Sequence, residues 1–341
     1  MTSVAVLGTG LLGTAIATRL LEQGLHVHVW NRDPSRIVSL VEKGATAIDD
    51  LGQAANNNSV LITVLRDGAA TASVIGTIGD LQSSTVVPMG TMGVEESRKL
   101  ATQVADQGGQ YLEAPVLGSK PQALNGSLLV MAGGEEQVFE EQRPLLSHLC
   151  QEPQLVGPVG SGAATKLALN QLIASLTHSF SLSLQLIQRA GVPVETFMAI
   201  LRPSALYAPT FDKKLQRMLD HSYADPNFST ALLRKDLRLF LEEATTAGLQ
   251  DQGLSGLLSL LEQAKGTELD EQDYCALHEL TVLSCVNALP SRFSPEVWIP
   301  PPLRPLPLSK ATASSACLLT TASAIAANWT PPLQLLIHGS A

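Results

Sequence analysis

A chain of 341 residues with a formal charge of −9 has room for two domains and a sizeable core, and its acidic balance argues against a nucleic-acid or anionic-membrane partner. Its cysteines, Cys150, Cys275, Cys285 and Cys317, show no metal or redox spacing, which fits a reducing, cytoplasmic setting. The first apolar run begins at residue 3, so no signal peptide is expected, and no charge-free run of about 20 strongly apolar residues predicts a membrane span.

Val4 to Leu7 reads as a buried strand, followed at once by Gly8, Gly10 and Gly13 in G-x-G-x-x-G spacing. An apolar segment runs to Leu21 and stops at Gly24, and Val27 and Val29 then alternate with His26, His28 and Trp30 as a second strand. Strand, glycine turn, helix and strand together are the dinucleotide-binding fingerprint. Gly8 permits the turn, Gly10 lets a pyrophosphate approach the backbone, and Gly13 lets helix and sheet pack. The helix N-terminus offers N–H groups and a positive dipole end to phosphates. The cradle candidates are Gly8, Thr9, Gly10, Leu11, Leu12 and Gly13.

The second strand ends in Asn31 and Arg32, where an NAD site usually carries Asp or Glu for the ribose hydroxyls. Arg32 can grip a 2′-phosphate through its planar fork, so NADP(H) is predicted. The alternative is Asp33 swinging in to bind ribose.

Pro34 to Lys43 reads as a short helix and Ser59 to Leu65 as a buried strand, whose last residue, Leu65, is a further cofactor candidate. Thr85 to Pro88 is a strand leading into Gly90-Thr91-Met92-Gly93. A helix spans Ser97 to Gln107, with Ala101, Val104 and Ala105 on one face. Tyr111 to Ala114 and Leu128 to Ala132 are strands separated by a loop carrying Gly118 and Ser119. Strands alternating with helices predict an α/β domain over residues 1–158, a Rossmann doubly wound parallel sheet. From Ala163 to Gln188 one long helix serves as connector, followed by helices at Val194–Leu201, Thr210–Asp220, Ser229–Ala247, Gly253–Lys265 and Glu271–Ala288. They form an all-helical second domain, residues 159–289. Residues 290–341 are rich in proline and are expected outside the fold, disordered.

Between Glu152 and Arg189 the only Asp, Glu, Lys or Arg is Lys166. A helix that sparing of charge is expected to be covered by protein on most sides. Asn170 lies one turn on, so an ammonium and an amide can face one ligand. Burial would bring the lysine pKa toward working pH. A lysine snorkelling to solvent between domains is the equal alternative. In STALLRKDLRLFLEEA, Leu233, Leu237, Phe240, Leu241 and Ala244 form the core stripe. Arg234 and Arg238 read as solvated charges and Lys235, taken alone, as a surface lysine. No cluster has metal-ligand spacing, and none forms a Ser-His-Asp or Cys-His arrangement.

Four stretches in order, VLGTGLLGTAIATRLLEQGLHVHVWNRD, EAPVLGSKPQALNGSL, GSGAATKLALNQLI and LLRKDLRL, together resemble the β-hydroxyacid dehydrogenase family, over about residues 3–289. The resemblance implies a 6-phosphogluconate dehydrogenase-like fold and an NADP(H)-dependent oxidoreductase acting on a small aldehyde, 2-oxo acid or hydroxy acid. Lys166 matches the catalytic lysine of a G-x-x-x-K-x-x-N motif, with Gly162 and Asn170 at its flanks. Asn170 is implied to orient substrate or lysine, Thr91 to contact cofactor near the reacting centre, and Lys235 to reach the cofactor side of the cleft. Gly118, with Ser119 beside it, belongs to the loop implied to bind the substrate carboxylate. Homodimers or homotetramers are implied. Two departures stand out: Leu117 replaces a serine of the usual PVSGG or PVSGS loop, and MGTMGVEES replaces an STVDP-like stretch. Both variants resemble the imine reductases, which generally carry Asp or Tyr where this chain has Lys166. Imine reduction is therefore the second reading, and a non-catalytic NADPH-binding protein the third.

Overall fold

The computed structural model describes residues 3–56, 58–81 and 84–282. Cys285, Cys317, the last residues of the Glu271–Ala288 helix and the proline-rich 290–341 segment lie outside the described residues. Strand β1 (Ser3–Leu7) passes through the glycine turn into helix α1 (Leu11–Glu22) and returns as β2 (His26–Trp30). Val27 and Val29 are buried while His26 faces out, as the alternation requires.

The expected helix from Pro34 to Lys43 breaks in two. Asp33 accepts the Ser35 N–H at 3.1 Å and caps a 3-10 turn over Pro34–Ile37, leaving only α2 (Val38–Val41) α-helical. Leu40 alone is buried there, so no apolar stripe sustains a longer helix. After β3 (Thr46–Ala47) comes β4 (Val60–Thr63), every residue of it buried. Next is α3 (Gly68–Ile78), which the sequence reading passed over. Its glycine and β-branched residues are poor helix formers, and it stands on the Asp67 cap, 2.8 Å from the Ala70 N–H, and on buried Thr71, Ile75 and Ile78.

The chain continues through β5 (Thr85–Pro88), α4 (Val94–Asp106), β6 (Gln110–Glu113), β7 (Val116–Leu117), α5 (Lys120–Leu124), β8 (Leu129–Gly134), α6 (Glu136–Leu146) and β9 (Gln154–Gly157). On α4 Val104 is buried but Ala105 is exposed, which narrows its expected apolar face. The sheet order is β3-β2-β1-β4-β5-β6-β8-β7, with β9 beside β8. β1 to β6 pair in parallel, whereas β8 runs antiparallel to β6 and β7. Only the two-residue β7 and the short α5 lie between β6 and β8, and no full-length helix crosses over between them. Apolar clusters cover both faces of the sheet, one around Ile16, Val29 and Phe139, the other around Leu61, Ile75 and Leu100. The order reverses between β1 and β4, so the loops after these strands open a crevice at their carboxyl ends.

From the sheet the chain enters α7 (Ser161–Arg189), 29 residues long and about 44 Å at 1.5 Å per residue. α8 (Val194–Leu201), α9 (Pro209–Leu219), α10 (Thr230–Thr246), α11 (Gln252–Glu262) and α12 (Leu277–Leu280) gather around it. Ala174 on α7 joins Leu233, Leu237, Leu257, Leu261 and Leu277 in one core, and Phe180 stacks on Phe211 at 4.6 Å in another. The helix expected from Glu271 is a 3-10 turn (Tyr274–Ala276) followed by α12, because Asp273 accepts the Cys275 N–H and caps a turn there.

Two further expectations change. Arg234 is buried, its guanidinium paired with Asp270 and Glu262, so it is no solvated charge. Arg238 does sit at the surface, paired with Glu262. And α7 is covered on one side only: Ala164, Ala168, Leu172, Ser179, Leu182 and Leu186 form an exposed, uncharged stripe, with Leu186 68% exposed. Among the described residues no helix is long and apolar enough to cross a membrane.

Candidate active site

At the crevice the glycines divide by what surrounds them. Gly8 has φ +102°, and a Cβ there would stand 2.5 Å from the Val64 carbonyl oxygen. A Cβ on Gly13 would lie 1.9 Å from the Gly8 carbonyl oxygen, so α1 can meet the turn only through glycine. Gly10 differs: nothing lies within 4 Å of its Cβ position. It opens α1, which has no side-chain cap and no acidic residue in its first turn. An uncapped positive helix end beside open space is what a pyrophosphate requires, so the residues present fit a dinucleotide. Leu11, 58% exposed, and Leu12 border the same opening.

Asn31 is tied in from β2. Its Nδ2 donates to the Thr9 hydroxyl at 2.9 Å, and its Oδ1 accepts the Asp33 N–H at 3.0 Å. Asp33 is engaged locally: Ser35 donates to it through both hydroxyl and N–H, and Arg36 lies 3.7 Å away. The Ser35 bonds, with Arg36 helping, hold its carboxyl below the ordinary range. Arg32 is exposed and has no hydrogen-bond or ion-pair partner among the described residues. Leu65 lies between the first and fifth strand ends, its Cδ2 2.8 Å from the Gly8 Cβ position and its carbonyl oxygen 2.5 Å from that of Gly90.

The second half of the site comes from α7 and α10. Lys166 keeps partial access to the cleft, yet the protein around it is dense. Burial pushes its pKa down to about 8; Asp236 opposes the shift and Lys235 reinforces it. Among the described residues Lys166 makes no hydrogen bond or ion pair. Asn170 is 2% exposed and its Nδ2 donates to Asp236 Oδ2 at 2.6 Å, the only sensible orientation against a group that accepts. That leaves Asn170 Oδ1 buried with no hydrogen-bond partner. Asp236 Oδ1 has an ion contact, the Lys235 ammonium at 2.8 Å, outside hydrogen-bond geometry. Buried acceptors without donors are rare, and beside a partly open lysine they suit a ligand O–H or N–H.

Lys235, read alone as a surface lysine, is partly buried. It bridges the two halves of the chain, donating to the Thr91 carbonyl oxygen at 2.8 Å. Glu243, two turns along α10, accepts the Val94 N–H at 2.8 Å, so α10 holds both ends of the Thr91–Val94 segment. The structure thus gathers Lys166, Asn170, Lys235 and Thr91 through hydrogen bonds and charge. Gly118 and Ser119 are not tied to them: Ser119 gives both its N–H and its hydroxyl to Gln122 Oε1, and no hydrogen bond joins this loop to Lys166 or Asn170 among the described residues. The residue missed by sequence reasoning is Asp236. Its signal was present, since a charge at position 236 falls within the Leu233–Leu237–Phe240 stripe and must enter the core or a site.

Known proteins resemble the chain over both of its halves. The family model for the NAD binding domain of 6-phosphogluconate dehydrogenase matches residues 3–157, and the one described as NAD-binding of NADP-dependent 3-hydroxyisobutyrate dehydrogenase matches residues 160–281. Glyoxylate/succinic semialdehyde reductase 1 of Arabidopsis thaliana is 30% identical over 286 residues, covering 82% of this chain and 99% of that protein. The crystal structure of 3-hydroxyisobutyrate dehydrogenase from Salmonella typhimurium superposes with a TM-score of 0.74 at 22% identity, over 82% of this chain and all of that one. An imine reductase from Pseudomonas sp. does so with a TM-score of 0.57 at 24% identity, over 82% and 99%. With a Rossmann crevice ahead of a long connecting helix and these relatives, the chain belongs to the β-hydroxyacid dehydrogenase family of NAD(P)-dependent oxidoreductases.

Proposed function

We propose that the chain is an NADP(H)-dependent reductase of small aldehydes or 2-oxo acids, with Lys166 as the proton donor, and as the acceptor in the reverse direction. The observation that carries this reading is a desolvated lysine with a pKa of about 8, one turn from a buried amide with a free acceptor. Such an ammonium gives up its proton near neutral pH, as general acid catalysis requires. Bound NADPH supplies the hydride. Gly8, Thr9, Gly10, Leu11, Leu12 and Gly13 would hold its pyrophosphate, Arg32 and Asn31 its adenosine ribose phosphate, and Leu65 and Thr91 would line its path toward the cleft. Lys166 protonates the carbonyl oxygen as it becomes a hydroxyl. Asn170, held by Asp236, orients substrate through Oδ1. Lys235 anchors the Thr91 segment, and the Gly118–Ser119 loop borders the substrate.

NADP(H) over NAD(H) rests on Arg32 being free while Asp33 is engaged in its own turn. The match to an NADP-dependent family description points the same way. A charge-assisted Arg–phosphate contact is worth about 1.5–3 kcal/mol, so NADPH should be preferred by about 10- to 150-fold. The test is a panel of glyoxylate, succinic semialdehyde, uncharged aldehydes and cyclic imines with NADPH and NADH, followed by absorbance, on parent and Arg32→Ala. We expect carbonyl turnover, with the NADPH preference lost in Arg32→Ala. Preferential turnover of cyclic imines would favour the imine-reductase reading, which Leu117 and the GTMG segment support. Turnover of no member would favour a non-catalytic binder.

The bare stripe on α7 supports a homodimer or homotetramer, since a second copy can cover its uncharged residues. Light scattering checks this, and a monomeric mass at micromolar concentration rejects it. The free, buried thiols of Cys150 and Cys275 fit a reducing compartment such as the cytoplasm, which cell fractionation tests.

A further inference from the structure

One buried carboxylate has no part in the chemistry above. Glu113, the last residue of β6, is 2% exposed. Its Oε1 accepts the backbone N–H groups of Gly160 at 2.8 Å, Gly162 at 2.7 Å and Ala163 at 3.4 Å. Its other oxygen accepts the Ser97 hydroxyl, which lies 2.7 Å from the Tyr111 hydroxyl. The N–H groups belong to the start of α7, where Gly160, at φ +99°, has no side chain to act as cap. A carboxylate from the sheet therefore does what an N-cap side chain normally does.

The fold makes room for it. A Cβ on Gly133 would lie 2.2 Å from Glu113 Oε1, and one on Gly162 would lie 3.1 Å from that oxygen and 2.6 Å from the Met131 carbonyl oxygen. Burial drives the Glu113 pKa upward, while the Ser97 bond and the backbone bonds oppose it. Lys166 stands four residues beyond Gly162, one helical turn, about 6 Å along the axis. The joint that Glu113 clasps is thus where the sheet passes to the helix carrying the lysine.

We propose that Glu113 is a positioning residue for proton transfer: by clasping the first turn of α7 to the end of β6, it sets where the Lys166 ammonium stands relative to the nucleotide cradle on the same sheet. This rests on Lys166 as the proton donor. A misplacement of about 1 Å can cost about 100-fold in rate without weakening binding, because only the reacting geometry suffers. A glutamine can stand in. Its Oε1 still accepts the backbone N–H groups, and its Nε2 can donate to Ser97, whose hydroxyl turns to Tyr111.

The experiment compares Glu113→Ala, Glu113→Gln and Lys166→Ala in the full chain. It measures kcat and KM for the aldehyde, the NADPH Kd by fluorescence and amide hydrogen exchange over residues 160–163. For Glu113→Ala we expect kcat to fall about 100-fold with KM and Kd within about threefold, and exchange at 160–163 to accelerate. For Glu113→Gln kcat should return to within about threefold of the parent. A parent-like kcat in a folded Glu113→Ala protein, or a Glu113→Gln protein as slow as Glu113→Ala, overturns the proposal. If Glu113→Ala does not fold, Glu113→Asp, which withdraws the carboxylate by one methylene, takes its place: kcat lowered at unchanged KM is expected, and a parent kcat overturns the idea. Turnover surviving in Lys166→Ala would instead sink the underlying reading of the site.

Discussion

Lys166→Ala is expected to lower kcat for carbonyl reduction by about 1000-fold while NADPH still binds within about threefold of the parent Kd. The separation follows from where the residues sit. The nucleotide cradle is built from β1, α1 and the end of β2, whereas Lys166 stands on α7 with no hydrogen bond to any of them. Removing it should therefore take away the proton and little else. Stability should move the other way. Burial places the lysine at about 8 against an ordinary 10.5, so between those values the unfolded chain holds more protons and stability rises with pH; at pH 7 the whole cost of the buried charge is present. A shift of that size corresponds to at most about 3 kcal/mol, and Lys166→Met, similar in size and uncharged, should melt several degrees above the parent at pH 7. A Met variant that melts lower would mean the lysine supports the fold.

Two glycine substitutions at the start of α1 should separate folding from binding. Gly10→Ala adds a methyl where nothing lies within 4 Å, at φ −71° and ψ −166°, a backbone any residue adopts. Its stability should stay within about 1 kcal/mol of the parent. The methyl occupies the space the pyrophosphate needs, so the NADPH Kd should rise at least about tenfold. Gly13→Ala meets the Gly8 carbonyl oxygen at 1.9 Å and the Val64 Cβ at 3.3 Å, and backbone cannot step aside as a flexible side chain does. That variant should lose about 3 kcal/mol or more and bind NADPH poorly besides. Urea melts and NADPH fluorescence titrations on both proteins check the pair. Unaltered NADPH affinity in Gly10→Ala would mean the turn does not cradle phosphate, and equal stability losses would mean that Gly13 is not the more tightly packed of the two.

The legibility of this chain follows from how local each signal is. The glycine turn, β4 and the long α7 were readable because their patterns are short-range: a spacing, an apolar run, a near absence of charge. The helix α3 was not, since GAATASVIGTI has weak helix propensity and is held by burial of Thr71 and Ile75 against distant parts of the chain. Pro34 to Lys43 reads as a helix, but a proline and an Asp cap make a 3-10 turn first. On α10 the periodicity was right for Leu233 and Leu237, yet Arg234 and Lys235 were misplaced because their partners lie 36 and 144 residues away. The near absence of charge along α7 reads as cover on most sides, yet in one chain a whole stripe lies open. Hydrogen bonds and charge link Lys166, Asn170, Thr91 and Lys235, whereas no hydrogen bond links Gly118 or Ser119 to Lys166 or Asn170 among the described residues. The acceptors on Asn170 and Asp236 could be seen only in three dimensions, because an unpaired atom is a property of its surroundings.

If Lys166 delivers the proton, the pH dependence of kcat/KM for aldehyde reduction should show it, measured from pH 6 to 10 in parent and Lys166→Met. As donor in reduction the lysine must be protonated, so the parent rate should hold steady below its pKa and fall tenfold per unit above a bend near pH 8, the value burial gives the ammonium. In the oxidation direction the same group must be neutral, and the limb should invert, rising through pH 8. The residual rate of Lys166→Met should show no bend there in either direction. The same bend near pH 8 in parent and variant alike would contradict the account, since some other group would then be moving the proton.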